Sequence, residues 1–329
     1  MNVFVTGGTG FLGRAVLESL VADGHSVRAL VRDGRSVPSG VEPSAVSLED
    51  AAGLERALGG VDAIVHLAGL VSRDPADGPR MHHVHLELTR TLLDAAERTR
   101  VSKLVLASTS GTIAVRETKD SRPATESESS PIELIGRWPY YVSKRYQEDE
   151  ILRRDRAGRI EAVILNPSLL LGPGDERLSS TADVHKALHG RFPALTKGVM
   201  AIVDVRDVAP MFVAALMKGR RGQRYLLNGA NLNVRSFVDR VEAAGDVMHI
   251  RPVLSDRWAR RSTKVLEGLY KVIDRTPPVD PISVDMACCD WSCTSAKAEK
   301  ELGFSARDVQ VTIADTVRDL ERRGLFRRT

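Results

Sequence analysis

In the first half of the chain, short unbroken apolar runs alternate with stretches of helical spacing. Asn2–Thr6, His25–Val31, Asp62–Leu67, Lys103–Ala107 and Ile160–Leu165 read as strands. Between them, Gly10–Asp23 places Phe11, Ala15, Val16 and Leu20 on one helical face and stops at Gly24. Leu54–Leu58 predicts a short helix closed by Gly59-Gly60. His83–Arg98 predicts a long amphipathic helix with Leu86, Leu88, Leu92, Leu93 and Ala96 inward, and Tyr140–Arg154 a further helix. Continuous apolar strands separated by helices predict an α/β chain whose parallel sheet is covered on both faces. Such sheets bind ligands at the carboxyl ends of their strands.

After Asn166-Pro167 the pattern loosens. Gly172-Pro-Gly-Asp175 is a loop, Val203–Lys218 a strand-like start followed by an apolar helix, and Tyr225–Asn228 a short strand. Val234–Ala244 and Ile313–Arg323 are helical. The Pro-rich stretch Arg275–Pro281 is a turn or linker, and Leu266–Ile273, near Trp258, a packed lobe helix. The expected organisation is a sheet domain over 1–167, with segments returning around 201–228, and a smaller lobe over 168–329. No internal repeat or low-complexity tract interrupts it.

Composition narrows the setting. The 329 residues are 43% hydrophobic, enough for a substantial core. No apolar run approaches the roughly 20 residues of a membrane span, and no basic leader precedes the first strand. The net charge of +4, from 47 basic and 43 acidic residues, is interspersed rather than gathered in a stripe, which disfavours nucleic acid as a partner. Cys288, Cys289 and Cys293 make a poor disulfide framework and lack zinc spacing, so a reducing cytoplasm is expected. Met81-His-His-Val-His85 reads as helix-start histidines, with no metal expected.

The N-terminal turn Thr6-Gly7-Gly8-Thr9-Gly10-Phe11-Leu12-Gly13 carries a G-x-x-G-x-x-G spacing between a strand and a helix. Without Cβ atoms at Gly7 and Gly10 the backbone can turn tightly and approach a pyrophosphate, and Gly13 lets helix and strand pack closely. Free N–H groups at the helix start complete a dinucleotide site. The second strand ends without the Asp or Glu that would accept from a ribose 2′-hydroxyl. Arg28 and Arg32, four apart on one strand face, suit a 2′-phosphate instead, so NADP is preferred over NAD.

Tyr140 and Lys144 stand four apart and share a helix face. A free phenol is a poor proton shuttle at neutral pH, and a neighbouring ammonium favours its ionised form. Lys144 also suits a ribose hydroxyl. Tyr141 is a rival with only Arg145 at the matching position. Ser108-Thr109-Ser110 follows a strand at its carboxyl end, where one hydroxyl can hold a substrate oxygen against Tyr140.

Taken together, Thr6–Gly13, His66-Leu-Ala-Gly69, Ser108–Ser110 and Tyr140-x-x-x-Lys144 resemble the extended short-chain dehydrogenase/reductases. So do Asn166-Pro167 with Gly172–Asp175, Asp204-Val-Arg-Asp207 and Ser295–Phe304. The likeness runs through nearly the whole chain. It is strongest to the dihydroflavonol-reductase-like, 3β-hydroxysteroid-dehydrogenase-like and hopanoid-associated epimerase-like group.

The resemblance implies a doubly wound Rossmann domain with a substrate lobe, Tyr140 as general acid/base with Lys144 as its partner, and Thr109, with Ser110 as alternative, at the Ser/Thr position. It also implies that Gly7, Thr9, Gly10, Phe11, Leu12 and Gly13 cradle the dinucleotide, that Leu67, Ala68 and Gly69 pass beneath it, and that Asn166 and Pro167 lie near the nicotinamide. The activity implied is hydride transfer between NAD(P) and a secondary alcohol or ketone of a small, moderately apolar molecule. A nucleotide-sugar epimerase with tightly bound NAD and a non-catalytic nucleotide sensor are the rivals, and a homodimer is expected by analogy. Three departures stand out. Ser47-Leu48 replaces a usual Asp-Leu, His85 stands where an asparagine is common, and Ser110-Gly111 replaces the Asp-Glu of sugar dehydratases.

Overall fold

The computed structural model describes residues 1–31, 36–117, 122–272 and 280–328. Its strands are β1 (Asn2–Thr6), β2 (Ser26–Leu30), β3 (Val41–Ser44), β4 (Ala63–His66), β5 (Lys103–Ala107), β6 (Glu161–Pro167), β7 (Leu169–Leu171), β8 (Val199–Asp204), β9 (Gln223–Leu227) and β10 (Ala230–Asn233). Seven of them form one all-parallel sheet in the order β3-β2-β1-β4-β5-β6-β9. That is the doubly wound arrangement, which reverses direction at β1 and opens a crevice there. Thr6 pairs in register with His66, His66 with Leu106, and Ala107 with Leu165. The turns after β1, β4, β5 and β6 therefore emerge side by side.

Strand alternation divides the sheet between two cores. One face, with Val3, Val5, Val27, Ala29 and Val163, packs on the helices Phe11–Ala22 and Val205–Lys218. The other, with Phe4, Ile64, Leu104 and Ile164, packs on Ala51–Ala57, Leu88–Thr99 and Ile151-Leu152 of the helix Pro139–Arg156. A third core gathers Leu171, Val184, Phe237, Ile313 and Val317 against a small sheet ordered β10-β8-β7. The chain thus leaves the large sheet after β6, builds β7 and β8, and returns with Val205–Lys218 and β9.

Two expectations need revision. The predicted helix His83–Arg98 is two pieces, a π-helical turn His83–Glu87 and Leu88–Thr99, preceded by a further helical turn Gly78–His82. An extra residue per turn rotates His85 into the interior. Strand β3, Val-Glu-Pro-Ser, shows no apolar run; it survives at the sheet's edge, where Pro43 does not break a ladder. The structure also shows helices Asp256–Val272 and Pro281–Ala287, whose connection, with most of the Arg275–Pro281 turn and Ile273, lies outside the described residues. Among the described residues no helix is long and apolar enough to cross a membrane.

Candidate active site

The glycine turn is built by close contacts. Gly7 has φ +73°, and a Cβ there would sit 2.6 Å from the Leu67 and Ala68 backbone. A Cβ on Gly13 would lie 2.1 Å from the Gly7 carbonyl oxygen, so only glycine lets the helix start this close. Gly10 donates its N–H to Gly7 O at 3.0 Å, while the helix Phe11–Ala22 has no side-chain cap and no acidic residue in its first turn. Thr9, Phe11 and Leu12 belong to the same turn and helix start. Such an end offers unpaired N–H groups and positive potential to an anion. Leu67, Ala68 and Gly69 lie beside it, with Ala68 N donating to Thr6 Oγ1 at 3.2 Å. The observed cradle fits a dinucleotide pyrophosphate.

Arg28 does not join this set. It sits in mid-strand on the face toward Ala51–Ala57, where its guanidinium donates to Ala57 O at 2.7 Å and pairs with Glu42 at 3.1 Å. Strand alternation aims it at a helix end rather than at the carboxyl edge of the sheet. Arg32 lies outside the described residues.

Tyr140 and Lys144 occupy the first turns of Pro139–Arg156, a helix whose inward face is polar: Ser143, Lys144, Gln147 and Glu148 are all buried. Lys144 Nζ donates to Ala107 O at 2.7 Å and to Gln147 Oε1. Burial pushes this ammonium down to about 7, with Glu148 opposing. The Tyr140 hydroxyl is shifted the other way, above the usual phenol range, by burial and by Tyr141. The expected lowering of Tyr140 by Lys144 therefore does not operate in the protein alone. The Tyr140 hydroxyl makes no protein hydrogen bond among the described residues. Tyr141 is differently placed: its ring packs on Trp138 and Trp291, and a Cβ on Gly111 would fall 2.2 Å from it. The rival tyrosine is a packing residue.

The three hydroxyls after β5 separate. Ser108 donates to the buried carboxylate of Glu148. Thr109 Oγ1 caps the short helical turn Ser110–Thr112, accepting from Gly111 N at 3.3 Å. The Ser110 hydroxyl has no protein partner among the described residues. Asn166 and Pro167 close β6 beside these residues. The Asn166 amide faces inward, donating to Glu148 Oε1 at 2.7 Å and Thr109 O at 3.0 Å, with its own oxygen left without a partner.

Glu148 escaped sequence reasoning, and His85 was singled out only as a departure from a common asparagine. Glu148 gathers Ser108, Thr112 and Asn166 and meets Arg224 of β9 at 3.0 Å. His85 accepts the Leu70 N–H on Nε2 (3.1 Å) and faces Ser143 Oγ with Nδ1 (2.8 Å), which fixes an Nδ1–H tautomer; its ring stands edge-on to Tyr140. Burial, with help from Lys144 and His66, holds His85 down at about 2, so it is neutral. The signal for these residues was the spacing Ser143, Lys144, Gln147, Glu148, a polar stripe on the helix face that packs inward. The remaining candidates scatter. His82 and His83 are exposed beside Glu87 and Glu49, and the three cysteines are buried free thiols.

A sheet wound in this order, with a glycine cradle where it reverses, defines the doubly wound dinucleotide-binding class. Within that class the chain belongs to the NAD dependent epimerase/dehydratase family, whose model matches residues 3–228. A putative dihydroflavonol 4-reductase of Synechocystis sp. is 30% identical over 98% of this chain and 95% of its own. A farnesylated dihydroquinoline-oxide ketoreductase of Stigmatella aurantiaca is 28% identical, over 93% of this chain and 92% of its own length. The crystal structure of gox2253 superposes with TM-score 0.86 at 29% identity, covering 99% of both chains. The protein is an NAD(P)-dependent oxidoreductase that moves hydride between a nicotinamide and a ketone or secondary alcohol.

Proposed function

We propose that the protein reduces a ketone on a small, moderately apolar molecule, with NADP as its preferred cofactor. The observation that carries the reading is the contrast between the two tyrosines. Tyr140 keeps an uncommitted hydroxyl one turn from Lys144, while Tyr141 is consumed by packing. NADPH, when bound, supplies the hydride. Gly7, Gly10, Gly13 and the first N–H groups of Phe11–Ala22 hold its phosphates, and Leu67–Gly69 and Pro167 border it. Lys144 holds a ribose hydroxyl. Tyr140 gives its proton to the oxygen that gains charge, and the Lys144 ammonium stabilises the phenolate left behind. Burial, with Tyr141 adding to it, raises the Tyr140 affinity for its proton, which suits an acid that must not ionise early. Ser110, whose hydroxyl is free, is favoured over Thr109 as the donor that fixes the substrate oxygen. The NADP preference is supported by Arg32 and by the lack of an acidic residue at the end of β2. The reduced thiols support a cytoplasmic setting.

The test is NADPH oxidation by the purified protein over a panel of apolar ketones, with mass spectrometry of any co-purified nucleotide. NADPH consumption supports the reading. Tightly retained NAD with no consumption points to the epimerase and sinks it. Tyr140→Phe should lower turnover by roughly 10²–10⁴-fold while leaving NADPH binding intact. Replacing Arg32 with Asp should turn the preference toward NADH.

A further inference from the structure

Lys144 is held by neutral acceptors alone, the Ala107 carbonyl and the Gln147 side chain. Because an ammonium only donates, it fixes the Gln147 amide with Oε1 toward Lys144 and Nε2 toward Thr89 Oγ1, 2.8 Å away, and His66 Nε2, 3.1 Å away. Thr89 Oγ1 lies 2.9 Å from His66 Nε2, and His66 Nδ1 lies 2.6 Å from Thr6 Oγ1. Thr6 in turn accepts the Ala68 N–H, at the backbone against which Gly7 is pressed. Thr6, His66, Thr89 and Gln147 are fully buried. The chain of contacts runs from the catalytic helix, through Leu88–Thr99 and β4, to β1. Each link joins a different element, so a change of aim at Lys144 has to be shared with the turn that begins at Gly7.

We infer that Gln147 is a positioning residue, whose carbonyl aims the Lys144 ammonium and whose NH₂ group couples that aim to the strand ends carrying the glycine turn. The inference rests on the proposed role of Lys144. Its chemistry is specific to a neutral amide. A carboxylate at this position would add a charge beside the ammonium and bind the proton more firmly; an alkyl group would remove one of its two acceptors. The other groups near the ammonium are Glu148 and Tyr140 on its own helix, His66 on β4 and His85 on the π-helical turn. Both histidines are neutral, since burial, with Lys144 adding to it, lowers His66 to about 3 and His85 to about 2. Neither histidine therefore changes charge beside Lys144 between pH 5 and 9.

The full-length protein labelled with ¹³C at lysine Cε allows the Lys144 titration to be followed directly by NMR, its signal assigned by loss in Lys144→Met. NADPH affinity is measured in parallel by nicotinamide fluorescence. Gln147→Glu should raise the Lys144 midpoint by one pH unit or more, and Gln147→Leu should lower it and weaken NADPH binding about tenfold. Thr89→Val, which leaves Gln147 in place but cuts the shorter of the two tethers of its NH₂ group, should weaken NADPH binding less and keep the fold if either Gln147 variant fails to fold. A Lys144 midpoint unmoved by the Gln147 variants that fold, or NADPH affinity unmoved by Thr89→Val, overturns the inference. If Lys144→Met binds NADPH like the wild type, the proposed role of Lys144 fails instead, and the midpoint shifts still report on Gln147.

Discussion

At the scale of single residues, Lys144 sets activity against stability. Its folded value near 7 lies far below that of a free lysine side chain. Between those values the unfolded chain binds the proton and the folded chain does not. Stability from this group therefore rises with pH across that window and is lowest below 7. Lys144→Met should raise the melting temperature at pH 6 more than at pH 9, read by calorimetry, while removing turnover. Ketone reduction by the unaltered protein should fall as pH rises through the Lys144 midpoint, because the ammonium is the working form. The two hydroxyls make a second residue-scale prediction. Ser110→Ala should cost roughly 10²-fold in kcat and Thr109→Ala far less, since the Gly111 N–H already holds Thr109 Oγ1 in place; a greater loss at Thr109 would reverse the assignment. Tyr140 and Lys144 were legible because their spacing is chemical. Gln147 and Glu148 were not, because their partners come from β4, β5, β6 and β9, distant in the chain.

At the scale of elements, the strands and main helices could be read from apolar runs, since burial on both faces leaves an unbroken signature in β1, β4, β5 and β6. The edge strand β3 and the small-sheet strand β10 carry few apolar residues and stayed hidden, as did β7, whose three leucines are too short a run to mark a strand. The π-helical turn was hidden for another reason: one extra residue in a turn leaves the periodicity on either side intact. That turn has a measurable consequence. His66 and His85 are neutral in the fold down to about 3 and about 2, whereas a free histidine protonates near 6.5. As pH falls below 6.5 the unfolded chain takes up protons that the folded one refuses. Each histidine should therefore lower stability by about 1.4 kcal/mol per pH unit until its folded value is reached. Urea midpoints measured from pH 7 to pH 4 should show this slope, and His85→Asn should flatten it. In the glycine turn, Gly13→Ala pushes a methyl group into the Gly7 carbonyl and should cost about 1–3 kcal/mol and most NADPH affinity, checked by denaturation and fluorescence titration.

At the scale of the whole molecule, Arg73 on the loop after β4 reaches across to Asp183 of the helix Ala182–Leu188 with two bonds, 2.8 and 3.2 Å, and to Ser283 Oγ at 3.2 Å. This pair joins the large sheet to the small core beside the Tyr141 aromatic cluster. A partly exposed pair contributes about 1 kcal/mol at most, so Asp183→Asn should raise the ketone KM up to roughly fivefold and leave NADPH affinity unchanged. Steady-state kinetics with both substrates varied would check it. The change of pattern after Pro167 falls where the chain leaves the large sheet to build β7 and β8. The return of β9 fits the segments expected back around 201–228; its place beside β6 was not legible, because a five-residue strand says nothing about which edge it will join.

That return has a consequence for biosynthesis. Until residue 227 has left the ribosome, β6 presents an open edge, and the face bearing Val3, Val5 and Val163 lacks the helix Val205–Lys218 that covers it. The buried carboxylate of Glu148 also lacks Arg224. A nascent chain halted after Pro167 should thus display sticky, unpaired backbone and bind holdase chaperones. The catalytic half of the polypeptide depends for its completion on the half made after it.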